Sequence, residues 1–193
     1  NAIYGLSKLC IVSPEKISPS LKEIVESVVD CIDTENAACF EGIHTFGAIL
    51  PLIDQTEYGM LIVQVLAKLI EIMSADAQQI KEQTEQGGHF DFDAQAEGEE
   101  DGNDGFFNEN SLIVAASIRV SCQIISRLGA FAEYFPVISE ILQEELRSFS
   151  NCITYSCAVG IQFLANGLSS IGVNADTADM IMHITSLAIK LVE

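Results

Sequence analysis

Apolar side chains recur along almost the whole chain at the spacing of one helix face. Between residues 20 and 32 they stand at Leu21, Ile24, Val25, Val28, Val29 and Ile32, a stripe at i, i+3, i+4, i+7, i+8 and i+11. A strand needs alternation every second residue. No stretch alternates over a strand's length, and no Asn-Gly or Asp-Gly hairpin turn lies between apolar runs. The spacing therefore predicts an all-α fold. Ser20 or Ser18 is placed to cap the first stripe, and Pro19 suits its first turn. A second helix is expected from Thr34 or Asn36 to Leu50, and a third over about 57–73. Others follow from about Ser111 to Phe131, from Tyr134-Phe135-Pro136 to Leu146, and from Cys152 to Leu168. The last starts near Ala175 with Ile181, Ile184, Ala188 and Leu191 facing inward.

The helices come in pairs. Leu21, Tyr58, Phe135 and Asp179 stand near the starts of successive first helices, 37, 77 and 44 residues apart. Subtracting an insertion of roughly 35 residues from the middle interval leaves a spacing near 40, the HEAT or armadillo period. One such pair cannot bury its apolar faces alone, so neighbours stack into a solenoid. The expectation is a HEAT/armadillo-like α-solenoid of antiparallel helix pairs over residues 1–193, about four pairs, entered within a second helix at residues 2–11. A closed bundle of eight helices with one long loop satisfies the same periodicity.

Residues 82–110 interrupt this pattern with ten acids and no Lys or Arg. No packed core absorbs that charge, so the segment is expected to be a solvated, disordered loop or one that waits for a partner. Asp91, Asp93, Glu97, Glu99, Glu100, Asp101 and Asp104 form its densest acidic surface. Phe90, Phe92, Phe106 and Phe107 stand among the acids, either to anchor the loop in a partner's groove or to tack its ends onto the helices. The tract falls between the two helices of one pair, which leaves a stacked core continuous and projects the charge from one surface.

The rest of the chain is acidic too. Of 28 acids, 18 lie outside the tract, against 9 Lys and Arg, and the formal net charge is −19. Neutralising phosphates takes a basic face, so a nucleic-acid partner is not expected; nor is an anionic membrane surface. A basic protein segment is the natural complement. The apolar runs are broken by Gln, Glu, Lys or Ser, so no segment is expected to span a bilayer, which takes about 20 predominantly apolar residues.

Chemistry-bearing patterns are absent. His44, His89 and His183 stand apart, and there is no Gly-rich phosphate loop, HExxH or GxSxG. The stretch 91–102 imitates a calcium loop but has Ala96 where glycine is required and Gly102 where a bidentate glutamate is required. No cofactor, metal or catalysis is expected. The six cysteines, at 10, 31, 39, 122, 152 and 157, include no CxxC pair. Cys31, Cys122, Cys152 and Cys157 lie among apolar residues, where reduced cysteine acts as a small hydrophobe. Their even number also fits a disulfide framework.

The run 131–171 (FAEYFPVISEILQEELRSFSNCITYSCAVGIQFLANGLSSI) resembles a HEAT repeat of the importin-β (karyopherin-β) family. Tyr134, Phe135, Pro136, Ile138 and Leu142 match the opening of the family's first helix. Ala158, Gly160, Leu164 and Ala165 match the small-residue pattern of its second. Residues 20–49 look like another such repeat. Several relatives in that family carry an acidic loop between the helices of one repeat. The resemblance implies a nuclear transport receptor of cytoplasm and nucleus. It implies binding of basic cargo, of Phe-Gly-rich pore proteins and of the GTP-bound small GTPase Ran, with the acidic loop contacting the GTPase or aiding cargo release. The chain opens on Asn1 and ends on Leu191-Val192-Glu193, so it reads as a fragment of a longer protein or as a mature secreted chain. The secreted alternative is an extracellular, disulfide-linked helical silk or matrix protein.

Overall fold

The computed structural model describes residues 2–85, 109–148, 150–172 and 174–192. Among them every regular element is a helix: α1 (Ala2–Val12), α2 (Pro14–Ile17), α3 (Leu21–Asp30), α4 (Cys39–Ile49), α5 (Gln55–Glu85), α6 (Glu109–Leu128), α7 (Phe131–Glu145), α8 (Asn151–Ile171) and α9 (Ala175–Lys190), with 3-10 turns at Ser18–Ser20 and Leu50–Leu52.

Boundaries follow local chemistry. Asp54 accepts from the Thr56 amide at 2.7 Å and so satisfies a donor in the first turn of α5. Asn174 opens α9 with a capping box: it accepts from Thr177 N at 2.9 Å, and Thr177 Oγ1 accepts from the Asn174 amide at 2.7 Å. α6 stops at Gly129, whose φ of 65° is left-handed; the Ala130 amide returns to the Ile125 carbonyl at 3.3 Å, as in a Schellman cap. Ser20 occupies the N-cap position of α3, but its side chain makes no capping bond.

Several expectations shift. α4 starts at Cys39 rather than at Thr34 or Asn36, because residues 33–38 are held in turns in which Asp33 and Asn36 side chains bond the amides of Glu35 and Ala38. α5 continues twelve residues past Met73, and α6 begins at Glu109, so the expected loop loses 82–85 and 109–110 to helix. Pro136 lies inside α7 rather than in its opening turn. On α9, Ile181 is 37% exposed, whereas Leu187 and Thr177 are buried with Ile184.

Packing runs between neighbours. α1 lies on α4, α4 on α6, and α6 most extensively on α8, forming one row. α5 lies on α7 and α7 on α9, forming a second. The rows are joined by α5 with α6, α6 with α7, α7 with α8 and α8 with α9, and α3 packs on α4. The core lies between the rows, where Ile43, Phe46, Ile62, Leu66, Leu69, Ile118, Ile124, Ile125, Leu142 and Leu164 are fully buried. Each such side chain contributes about 1.5–3 kcal/mol relative to exposure.

The α6–α8 contact requires glycine. A Cβ at Gly160 would stand 2.9 Å from Cys122 Sγ, and one at Gly167 would stand 2.6 Å from Phe131 Cζ and 3.0 Å from Ser126 Cα. By length and composition, two helical stretches, Gln55–Glu82 and Asn110–Leu128, are apolar enough to cross a membrane. This corrects the expectation that no segment reaches that threshold: scattered polar residues such as Gln64 and Lys68 do not outweigh the apolar mean over a full window.

Candidate functional site

The acids singled out in sequence, Asp91, Asp93, Glu97, Glu99, Glu100, Asp101 and Asp104, lie outside the described residues. So do the four phenylalanines among them, His89 and the calcium-loop imitation at 91–102. The described flanks are the end of α5 and the start of α6, which bring the two ends of the tract to one end of a helix pair in contact.

The second row of helices is acidic in its own right. α5 carries Glu57, Glu71, Asp76, Glu82 and Glu85; α7 carries Glu133, Glu140, Glu144 and Glu145; α9 carries Asp176 and Asp179. α3 adds Glu23, Glu26 and Asp30. In the first row α1 and α8 have no acid, α4 has Glu41 and α6 has Glu109. Clefts line the acidic row. One of about 450 Å³ between α5 and α7 is bordered by Lys81, Glu82, Glu140 and Glu144. Another, of about 500 Å³ between α7 and α9, is bordered by Phe135, Asp176, Asp179 and His183.

A third cleft, of about 290 Å³, lies where α5 and α6 meet the turn after α3. Its walls are Ile72, Ala75 and Ile113, its rim is Thr34 and Gln79, and Asp76 lines it. Behind Asp76 is Glu145 of α7, which has no exposed surface. Neither carboxyl oxygen of Glu145 meets a protein donor. The polar group facing it is the Asp76 carboxyl, which accepts a hydrogen bond from Glu145 when Glu145 carries a proton. Burial, together with the adjacent Asp76 charge, pushes Glu145 up to about 8. Burial raises Asp76 as well. Two carboxyls in contact without a cation must share a proton at neutral pH.

Glu145 also faces the first row. Burial, and then the charge of Glu145, push Cys157 of α8 up to about 12. Burial, and then Cys157, push Cys122 of α6 well above the usual thiol range. A thiol held protonated in this way is a poor nucleophile. All six cysteines are free thiols. Cys10, Cys39, Cys122 and Cys157 are buried, whereas Cys31 and Cys152 are half-buried. Cys31 and Cys152 therefore fit the small-hydrophobe expectation less well than Cys10 and Cys39 do.

His44, His183, Arg127 and Lys68 make contacts within the helical stack. His44 of α4 lies against Phe40 with centroids 6.1 Å apart; burial, and then Arg119 and Lys8, lower its pKa. His183 meets Phe135 edge-on at 6.0 Å. Arg127 donates to the Ile53 carbonyl at 2.9 Å, and Lys68 to the Ile32 carbonyl at 3.3 Å, so both bases hold turn carbonyls. Among the described residues, no group of three or more His, Cys, Asp or Glu side chains is arranged to hold a metal.

Sequence reasoning missed the Asp76–Glu145 pair. Its signal was Glu145 standing one turn after Ile141 on the inward face of α7, but nothing in the sequence gave Asp76 as its neighbour. Compared with protein-family models, with curated proteins and with solved structures, the chain matches none.

Proposed function

We propose that this chain is a non-catalytic protein-binding scaffold: a HEAT-like α-solenoid of antiparallel pairs, α3–α4, α5–α6 and α7–α8, flanked by α1 and α9. One observation carries this reading: the helices stack in two rows through neighbour contacts, and the row of α5, α7 and α9 carries most of the helical acids, whereas α1 and α8 of the other row carry none. Neighbour-only stacking is how helix pairs that cannot bury their own faces build a core. Segregated charge on such a stack supports a partner of opposite sign, steered over long range and weakened by salt.

The partner class is a basic protein segment. The insertion within the α5–α6 pair, with Asp91, Asp93, Glu97, Glu99, Glu100, Asp101 and Asp104, adds to the same charge. The narrower form of the proposal, resting on the importin-β resemblance, is part of a nuclear import receptor that binds basic cargo or a Ran-type GTPase in cytoplasm and nucleus.

Titration of the full chain with a fluorescent basic peptide and with GTP-loaded Ran tests both levels. Micromolar or tighter binding that weakens at least tenfold between 50 and 300 mM salt is expected, and removal of residues 86–108 weakens it further. Salt-independent binding, or none to either probe, overturns the scaffold reading. Binding of basic peptide without Ran retains the scaffold and removes the receptor.

A further inference from the structure

We propose that the cleft formed by Ile72, Ala75, Ile113, Thr34, Gln79 and Asp76 is a docking site for a lysine or arginine side chain of a protein partner, seated on Asp76 with Glu145 behind it. The inference deepens the scaffold reading and rests on it.

The site has the parts that such a side chain needs. Apolar walls accommodate the aliphatic stem of a basic residue. Thr34 offers a hydroxyl, Gln79 an amide and Asp76 a carboxyl. The second observation is Glu145: fully buried, with both oxygens lacking a protein donor, and facing Asp76. A carboxyl buried against a second, half-buried one is stabilised by a proton or a cation between or beside them. Among the described residues, no Lys, Arg or His perturbs either carboxyl. Asp76 lines the cleft, so a cation entering it from a partner meets that carboxyl.

Docking is linked to a proton. Before binding, the Asp76–Glu145 pair holds one shared proton. An arriving ammonium or guanidinium favours the doubly ionised pair, and the proton leaves to solvent as the cation is seated. The groups facing the pair are Asp76 from α5 and Cys157 from α8, with Cys122 of α6 behind Cys157. On α7 itself Glu144 is tied to Arg147 at 2.6 Å. The residues of α9 bordering α7, Asp176, Asp179 and His183, lie near Phe135, at the other end of that helix. Lysine keeps its charge until about pH 10.4, so between pH 6 and 8 the protein pair is the group that titrates.

The test uses the full chain and an oligolysine peptide, with the same peptide acetylated on every lysine as control. Affinity for the lysine form should rise with pH from 6 to 8, by up to about tenfold per pH unit. Calorimetry at pH 7 in phosphate and in Tris should differ by the heat of the released proton. Glu145→Gln should bind with affinity independent of pH over that range. Asp76→Asn should weaken binding at least tenfold at pH 8, and so should Ala75→Leu, which narrows the cleft from an exposed position without touching the pair. Binding that is unchanged by Asp76→Asn and Ala75→Leu, or that releases no proton, overturns the site and leaves the scaffold reading to its own GTPase and deletion tests. Equal binding of the acetylated peptide also overturns it.

Discussion

Glu145→Gln isolates the energetic consequence of the buried carboxyl pair. In the folded chain the Glu145 carboxyl is raised from 4.5 to about 8, by burial first and by Asp76 second. Between those values the folded protein holds a proton that the unfolded chain has released. Stability therefore falls as pH rises from about 4.5 to 8, is fully retained below that window and changes no further above it. At 1.36 kcal/mol per pH unit the ceiling is about 5 kcal/mol. Relaxation and an effective dielectric near 20 reduce this to about 2–4 kcal/mol. Glutamine keeps the side chain's shape, removes the titration and gives Asp76 an amide donor. The variant is expected to match the wild type within about 1 kcal/mol at pH 5 and to exceed it by about 2–4 kcal/mol at pH 9. Urea unfolding followed by circular dichroism at pH 5, 7 and 9 measures the difference between the two curves. The difference matters because His44, lowered mainly by burial, acts oppositely and loses stability as pH falls through its unfolded value of 6.5. A variant that is less stable at pH 9, or a gap that does not widen with pH, refutes the shared-proton reasoning.

Other substitutions probe packing and local order. Gly167→Ala places a methyl against Phe131 and Ser126 and should destabilise by about 1–3 kcal/mol; Gly59→Ala, with nothing within 4 Å inside α5, should stabilise by about 0.5–1 kcal/mol, so urea midpoints should move in opposite directions. Asn174→Ala removes the α9 capping box and should cost about 1 kcal/mol with faster amide exchange in the first turn of that helix. Thiol titration should find Cys31 and Cys152 reacting before the buried Cys10, Cys39, Cys122 and Cys157, with six thiols after denaturation; three bridges instead would favour the secreted alternative.

The helices were legible because each must bury one face, and burial writes its period directly into the sequence. Leu21, Ile24, Val25 and Val28 locate α3 without any tertiary knowledge, and the apolar spacing places the start of α9 near Ala175. The ends were less legible. α5 continues to Glu85 because Asp76, Gln79 and Glu82 tolerate solvent on one side while Ala77 still packs on the core, and a polar stretch looks the same in sequence whether it continues a helix or leaves it. Ile181 fits the inward stripe of α9 in sequence but is exposed, because the face of α9 that meets α7 and α8 depends on how the rows are set. The acidic tract was obvious from composition, yet composition does not show that a separate acidic row lies along α5, α7 and α9.

The amino-acid order alone determined that the chain is helical and that its charge is strongly negative, because these are local or summed properties. Only the tertiary structure decided which helices share a row and that Asp76 and Glu145, 69 residues apart, meet. Contact at that separation is set by the relative placement of α5 and α7, a property of packed surfaces that no single helix encodes.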